Sequence, residues 1–187
     1  MTGHRLDNKL AVVTGASRGI GRHIARALCA AGANVAITGR RRASLEAAAR
    51  ELGPGCAPYV CDQRDPEAVS AMAAGVIRDL GVPDILVNNA GLFRGGPVVE
   101  MTLDDWNEVI ETNLTGVFLT TRAFLPGMLQ RQRGDIFVIS SMSGKKGDPG
   151  AAAYAASKFG LQGFAQSLLY EVRKSNIRVM VLNPSSV

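Results

Sequence analysis

Short, nearly unbroken apolar runs alternate along the chain with longer stretches whose apolar residues recur every three or four positions. The runs are residues 9–14, 34–38, 58–61, 84–88, 135–140 and 177–183. Each predicts a strand covered on both faces, because a sheet with one wet face would alternate apolar and polar residues instead. Between them, residues 19–31 put Ile20, Ile24, Ala27, Leu28 and Ala31 on one helical face. Residues 43–52 form a second helical stretch, stopped by Gly53-Pro54-Gly55. Residues 66–80 carry Val69, Met72, Ala73, Val76, Ile77 and Leu80 at helical spacing. A long helix is predicted over 103–129, with Asp104 and Asp105 near its positive N-terminal end, and another over 152–174.

Strands that alternate strictly with helices imply a parallel sheet joined by right-handed crossovers, with helices on both faces. The expected fold is therefore α/β, a doubly wound parallel sheet of six strands. At 187 residues the length suits one domain, and no repeat or linker interrupts it.

Composition narrows the function. Apolar residues make up 47% and charged residues 20%, ordinary globular usage that excludes disordered and fibrous classes. No apolar run is long enough to span a membrane, and the polar stretch 1–9 does not read as a signal peptide. Cys29, Cys56 and Cys61 are odd in number and form no CxxC, and His4 and His23 are too few for a histidine-rich metal site. A reducing cytoplasm is the expected location, with no metal and no membrane partner. The net charge of +5 is spread over Arg40-Arg41-Arg42, Arg131 with Arg133, and Lys145-Lys146, and only 5% of residues are aromatic. A nucleic-acid footprint would be a continuous basic face, so none is expected; solvated surface plus one phosphate pocket accounts for the charge.

The first strand ends in Thr14-Gly15-Ala16-Ser17-Arg18-Gly19-Ile20-Gly21 and a helix follows at once. Glycines there permit a tight turn and close backbone approach to a pyrophosphate, while the helix N-terminus offers unpaired N–H groups. A glycine loop alone could serve only a turn; the strand-loop-helix context points to a dinucleotide. The spacing is G-x3-G-x-G rather than the commoner G-x-G-x-x-G. In this spacing, and in Asn88-Asn89-Ala90-Gly91, Asn113, Ser141 and Tyr154-Ala155-Ala156-Ser157-Lys158, the chain resembles the short-chain dehydrogenases/reductases. The resemblance runs over essentially the whole chain. It implies a Rossmann-type domain over residues 1–187 whose cofactor is lined by Gly15, Ser17, Arg18, Gly19, Ile20, Gly21, Asn89, Ala90 and Gly91.

The tip of the second strand reads Ile37-Thr38-Gly39-Arg40. An acid there would favour NAD, whereas arginine suits the 2′-phosphate of NADP. Arg40 and Arg18 are accordingly assigned to NADP(H), and Arg41 and Arg42 to the solvated start of the next helix. The resemblance implies that Asp62 binds the adenine amine; Gln63 stands where a small aliphatic residue is usual, so the adenine wall differs. Asn88 is expected to be structural, tying neighbouring strands through its amide.

Tyr154 and Lys158, four apart, stand one above the other on a helix. The same stripe continues through Leu161, Ala165, Leu168 and Val172, so Lys158 lies on the apolar face, where an ammonium is unfavourable without a purpose. A cation beside a phenol favours its ionised form, which suits Tyr154 to general acid–base work. The resemblance implies a full set: Tyr154 exchanges the proton, Ser141 polarises the substrate oxygen, Lys158 holds the nicotinamide ribose, and Asn113 opens its helix and fixes a relay water. Ser140, by strand alternation, should face away. The implied reaction is NADP(H)-dependent interconversion of a small-molecule carbonyl and an alcohol, with 3-oxoacyl-acyl-carrier-protein reduction as one subtype. The competing reading is a nucleotide-binding regulator or scaffold without turnover.

Two further expectations follow from the resemblance. A seventh strand and a substrate-covering segment usually lie beyond the sixth strand, and here the chain reaches only Pro184-Ser185-Ser186-Val187, as a truncated domain would, with Ser185 where glycine is usual. A homodimer or homotetramer is expected from Trp106, Phe118 and Phe124 on the long helix and Phe159 and Phe164 on the last, more aromatic surface than one sheet contact needs.

Overall fold

The apolar runs are six parallel strands: β1 (Leu10–Val13), β2 (Asn34–Gly39), β3 (Cys56–Val60), β4 (Ile85–Asn88), β5 (Gly134–Ile139) and β6 (Ile177–Leu182). They form one sheet in the order β3-β2-β1-β4-β5-β6, and the winding reverses between β1 and β4. This computed structural model describes residues 6–185; His4, Ser186 and Val187 lie outside them. The helices are α1 (Gly19–Ala30), α2 (Arg42–Leu52), α3 (Pro66–Leu80), α4 (Leu103–Ile110), α5 (Gly116–Arg131) and α6 (Ala152–Val172).

Alternation along each strand feeds two cores. Leu10, Val12, Leu86, Ile136 and Val138 pack with Val76 of α3, Phe124 and Met128 of α5 and Leu161 and Leu168 of α6. Ala11, Val13, Val35, Ile37 and Val87 pack on the other face with Ala25 of α1 and Leu45 of α2. Both sides of β1 are thus buried, which is why its sequence shows no polar alternation. Asp65 caps α3 by accepting from Glu67 N at 2.9 Å and Ala68 N at 3.2 Å, with Pro66 at the first helical position.

At the amino end of the strands Asp84 joins three of them. Its Oδ2 accepts from Leu10 N at 3.0 Å and its Oδ1 lies 2.8 Å from the Arg133 guanidinium. Its backbone N–H donates to Leu10 O and its carbonyl accepts from Asp135 N, both at 2.8 Å.

Three boundaries differ from the pattern. Strand β3 starts at Cys56, two residues early, and includes Pro58 opposite Ile37; an edge strand tolerates a residue without an N–H. The helix predicted over 103–129 is interrupted by a π-helical turn, Glu111–Thr115, and then runs to Arg131. Helix α6 stops at Val172 and a short 3₁₀ turn, Arg173–Ser175, follows. The aromatic inventory also changes. Phe124 is wholly buried and Phe164 packs against the same core, whereas Trp106, Phe118 and Phe159 are exposed.

Candidate active site

At the carboxyl end of β1 the chain turns out of the sheet and enters α1. Thr14 fixes the turn: its Oγ1 accepts from Asn89 N and Ala90 N, both at 3.0 Å. Asn89 Nδ2 donates back to Thr14 O at 2.9 Å and Gly15 O at 3.3 Å. Gly15 takes φ +65°, and a Cβ there would lie 2.7 Å from Ala90 Cα, so a side chain is refused by both strain and space. At Gly21 a Cβ would lie 2.7 Å from Gly15 O, so α1 reaches the loop only with glycine there. Arg18, at the N-cap of α1, makes no side-chain bond to the first turn. The opening N–H groups and the positive end of the helix dipole therefore remain available to an anion.

A cleft of about 1230 Å³ runs along this carboxyl edge, the edge at which open α/β sheets bind ligands. In sheet order it is lined by Asp62 after β3, Arg40 after β2, Gly15, Ser17, Arg18, Gly19 and Ile20 after β1, Asn89, Ala90 and Gly91 after β4, and Ser141 after β5, with Tyr154 and Lys158 of α6. Arg41, exposed at the N-cap of α2 as its solvated role requires, also borders the cleft, and Arg42 pairs with Glu46 at 3.5 Å. Asp62 accepts a forked pair of bonds from Arg64, at 3.1 Å from Nε and 2.7 Å from Nη2. That guanidinium, with the Arg40 charge further off, holds the Asp62 carboxyl below the usual range.

Lys158 is 4% exposed and its Nζ donates to Ile139 O at 2.8 Å. Burial pulls its ammonium from 10.5 down to about 8. Nζ lies 5.4 Å from the centre of the Tyr154 ring. The Phe93 ring meets the same tyrosine edge-on, at 5.4 Å and 76°. Ser141 follows β5; its Oγ accepts from Ser143 N at 3.1 Å, which leaves its own proton free to donate. The Ser140 hydroxyl turns to α6, where it donates to Lys158 O at 3.1 Å.

Asn113 sits in the π-helical turn, wholly buried behind Gly91. Its Oδ1 accepts from Leu92 N at 2.8 Å, and its Nδ2 donates to Leu92 O at 2.9 Å and Ser157 Oγ at 3.1 Å. Ser157 Oγ donates onward to Tyr154 O at 2.7 Å. The asparagine side chain is thus a clamp between the loop after Gly91 and the helix of Tyr154. Asn88 is buried as expected, but its Nδ2 donates to Thr121 Oγ1 of α5 at 3.0 Å rather than to a neighbouring strand; its side chain leaves the sheet plane and meets the helix above.

The cleft also takes Gln63, expected at the adenine wall, and His23, Leu92, Phe93 and Thr112, which no sequence pattern singles out. Gln63 carried a signal, being polar where the resemblance implies an aliphatic. Phe93 and His23 carried none, since a single aromatic or histidine has no periodicity.

The sequence profile of the short chain dehydrogenase family matches residues 9–187. The 3-oxoacyl-acyl-carrier-protein reductase of Escherichia coli K12 is 39% identical over 181 residues, covering 97% of this chain and 74% of that protein. Nodulation protein G of Rhizobium sp. N33 is 42% identical over 182 residues, with the same coverage. The structure of an actinorhodin polyketide ketoreductase with NADPH superposes with a TM-score of 0.93 at 40% identity, over 96% of this chain and 70% of that one. With one profile covering everything after residue 8, with Gly15, Gly19, Asn89, Gly91, Ser141, Tyr154 and Lys158 lining one cleft and Asn113 buried behind it, the chain belongs to the short-chain dehydrogenase family.

Proposed function

We propose that the protein is an NADP(H)-dependent oxidoreductase that interconverts a small-molecule carbonyl and a secondary alcohol, acting as one dinucleotide-binding domain. A 3-oxoacyl thioester is the substrate class we favour, because the Escherichia coli relative is named for one. The observation that carries the reading is Lys158, buried beneath Tyr154 at one end of a cleft whose other end bears Arg18 and Arg40. A dinucleotide with a phosphate on its adenosine ribose and free hydroxyls on its other ribose fits that layout. Arg18 and Arg40 hold the 2′-phosphate, the first turn of α1 the pyrophosphate, and Asp62 the adenine amine. Gly15, Ser17, Gly19, Ile20, Gly21, Asn89, Ala90 and Gly91 shape the backbone between them.

When bound, the nicotinamide group supplies or accepts the hydride. The protein supplies position and protons. In reduction, the Tyr154 hydroxyl donates its proton to the carbonyl oxygen, and in oxidation it takes that proton back. The Ser141 hydroxyl donates a hydrogen bond to the same oxygen. Lys158 binds the ribose hydroxyls and places positive charge beside the phenol. Asn113 holds Leu92 and Ser157, and so holds the backbone on either side of Tyr154. Among the described residues no helix is long and apolar enough to cross a membrane. The free Cys29, Cys56 and Cys61 fit our assignment to the cytoplasm.

Tyr154→Phe tests the reading. The ring and its packing stay, so NADPH affinity should hold while turnover falls by about 10²–10⁴-fold or more. A variant that keeps most of the rate means that another group donates the proton. A wild-type protein that binds NADPH but turns over no carbonyl is a scaffold.

A further inference from the structure

The π-helical turn at Glu111–Thr115 exposes a carbonyl that an α-helix would keep occupied. In α-helical register Gly116 N would donate to Thr112 O. Here Gly116 N donates to Glu111 O instead, as the wider turn requires. A carbonyl deprived of its helical donor inside a protein needs another partner. Gln63 provides it: Nε2 lies 2.5 Å from Thr112 O and 3.3 Å from Ala90 O. Gln63 is only 8% exposed, so these bonds face little competition from water.

Gly116 makes room for that amide. A Cβ at Gly116 would fall 2.7 Å from Gln63 Cγ, 2.9 Å from Cδ and 3.0 Å from Nε2, and these are the three nearest atoms. Gln63 and Gly116 thus form a matched pair: one fills the released hydrogen-bond site and the other leaves space for it.

We propose that Gln63 is a positioning residue that locks the helix open at Asn113. It holds Thr112, and with it Asn113, in the register from which Asn113 clamps Leu92 and Ser157. Its second bond ties the same turn to Ala90 on the floor of the cleft. An aliphatic residue at this position could pack but could not donate. The kinetic consequence rests on the catalytic role proposed above for Tyr154 and its surroundings; the lock itself does not.

Four variants test it: Gln63→Met, which keeps length and removes the donors, Gly116→Ala, Gln63→Ala, and Gln63→Ala with Gly116→Ala. In Gln63→Met, hydrogen–deuterium exchange across residues 111–117 should accelerate on the order of tenfold, the worth of one hydrogen bond. With NADPH and a short 3-oxoacyl thioester, kcat should fall by a similar factor while the KM for the thioester stays nearly unchanged. By thermal unfolding, Gly116→Ala should destabilise the wild type but destabilise Gln63→Ala much less. Unchanged exchange in Gln63→Met, or Gly116→Ala equally harmful in both backgrounds, overturns the lock. Faster exchange with unchanged kcat overturns the positioning role. If exchange and coupling behave as expected but even the wild type reduces no thioester, the lock stands and the assigned activity falls.

Discussion

Replacing Lys158 with methionine should stabilise the cofactor-free protein at neutral pH while removing its function. Burial lowers the Lys158 ammonium from 10.5 to about 8, and one pH unit of such difference corresponds to about 1.4 kcal/mol. The protonated lysine therefore destabilises the fold by about 3 kcal/mol near pH 7. Below about pH 8 folded and unfolded chains are both protonated, and the whole penalty is present. Between about 8 and 10.5 the unfolded chain binds more protons than the folded one, so stability rises with pH. Above 10.5 the penalty is gone. Methionine keeps the length and does not titrate, so the other ionising groups cancel in the comparison. The lost bond to Ile139 O offsets the gain by about 1 kcal/mol. Urea unfolding of both proteins near pH 7 and near pH 10 reads the effect. The advantage of Lys158→Met should shrink by about 2–3 kcal/mol over that interval. An advantage that stays constant with pH, or grows, refutes the burial argument.

Arg40→Ala should weaken NADPH binding by roughly tenfold, the value of one exposed charge-assisted contact, and leave NADH binding nearly unchanged; equal wild-type affinities for the two would refute the phosphate assignment. The exposed Trp106, Phe118 and Phe159 suit a two-fold pairing with a second copy. Sedimentation at micromolar concentration should show a dimer or larger, with Phe159→Ser shifting it toward monomer; a wild-type monomer at that concentration would remove the pairing.

The strand pattern carried the sheet because both faces of β1, β2 and β4 are covered, which leaves uninterrupted apolar runs. The glycine loop and the Tyr154/Lys158 stripe were legible for a similar reason: each is a local arrangement with its own spacing. The π-helical turn left no mark on the apolar spacing, which reads through α4 and α5 as one helix; only the resemblance, through Asn113, implied an opening there. Its cause is nonlocal, a glutamine fifty residues earlier taking up a carbonyl. Phe124 was misplaced in the opposite sense: its aromatic character suggested a surface for pairing, while its depth depends on how α5 lies over β4 and β5. Gln63 could be seen to depart from its surroundings, but the two carbonyls it reaches come together only in the folded chain.

Asp84 gathers β1, β4 and β5 at the amino end of the sheet, through backbone and side chain together, whereas every cleft residue issues from the carboxyl end. The two ends do different work, one holding strands together and the other lining the cleft. A mutational library screened for heat resistance should recover positions around Asp84, Lys9 and Arg133. The same library screened for altered substrate range should recover Leu92, Phe93 and their loop neighbours. The two sets should scarcely overlap, so chemistry at the cleft is free to drift without loosening the foundation that supports it.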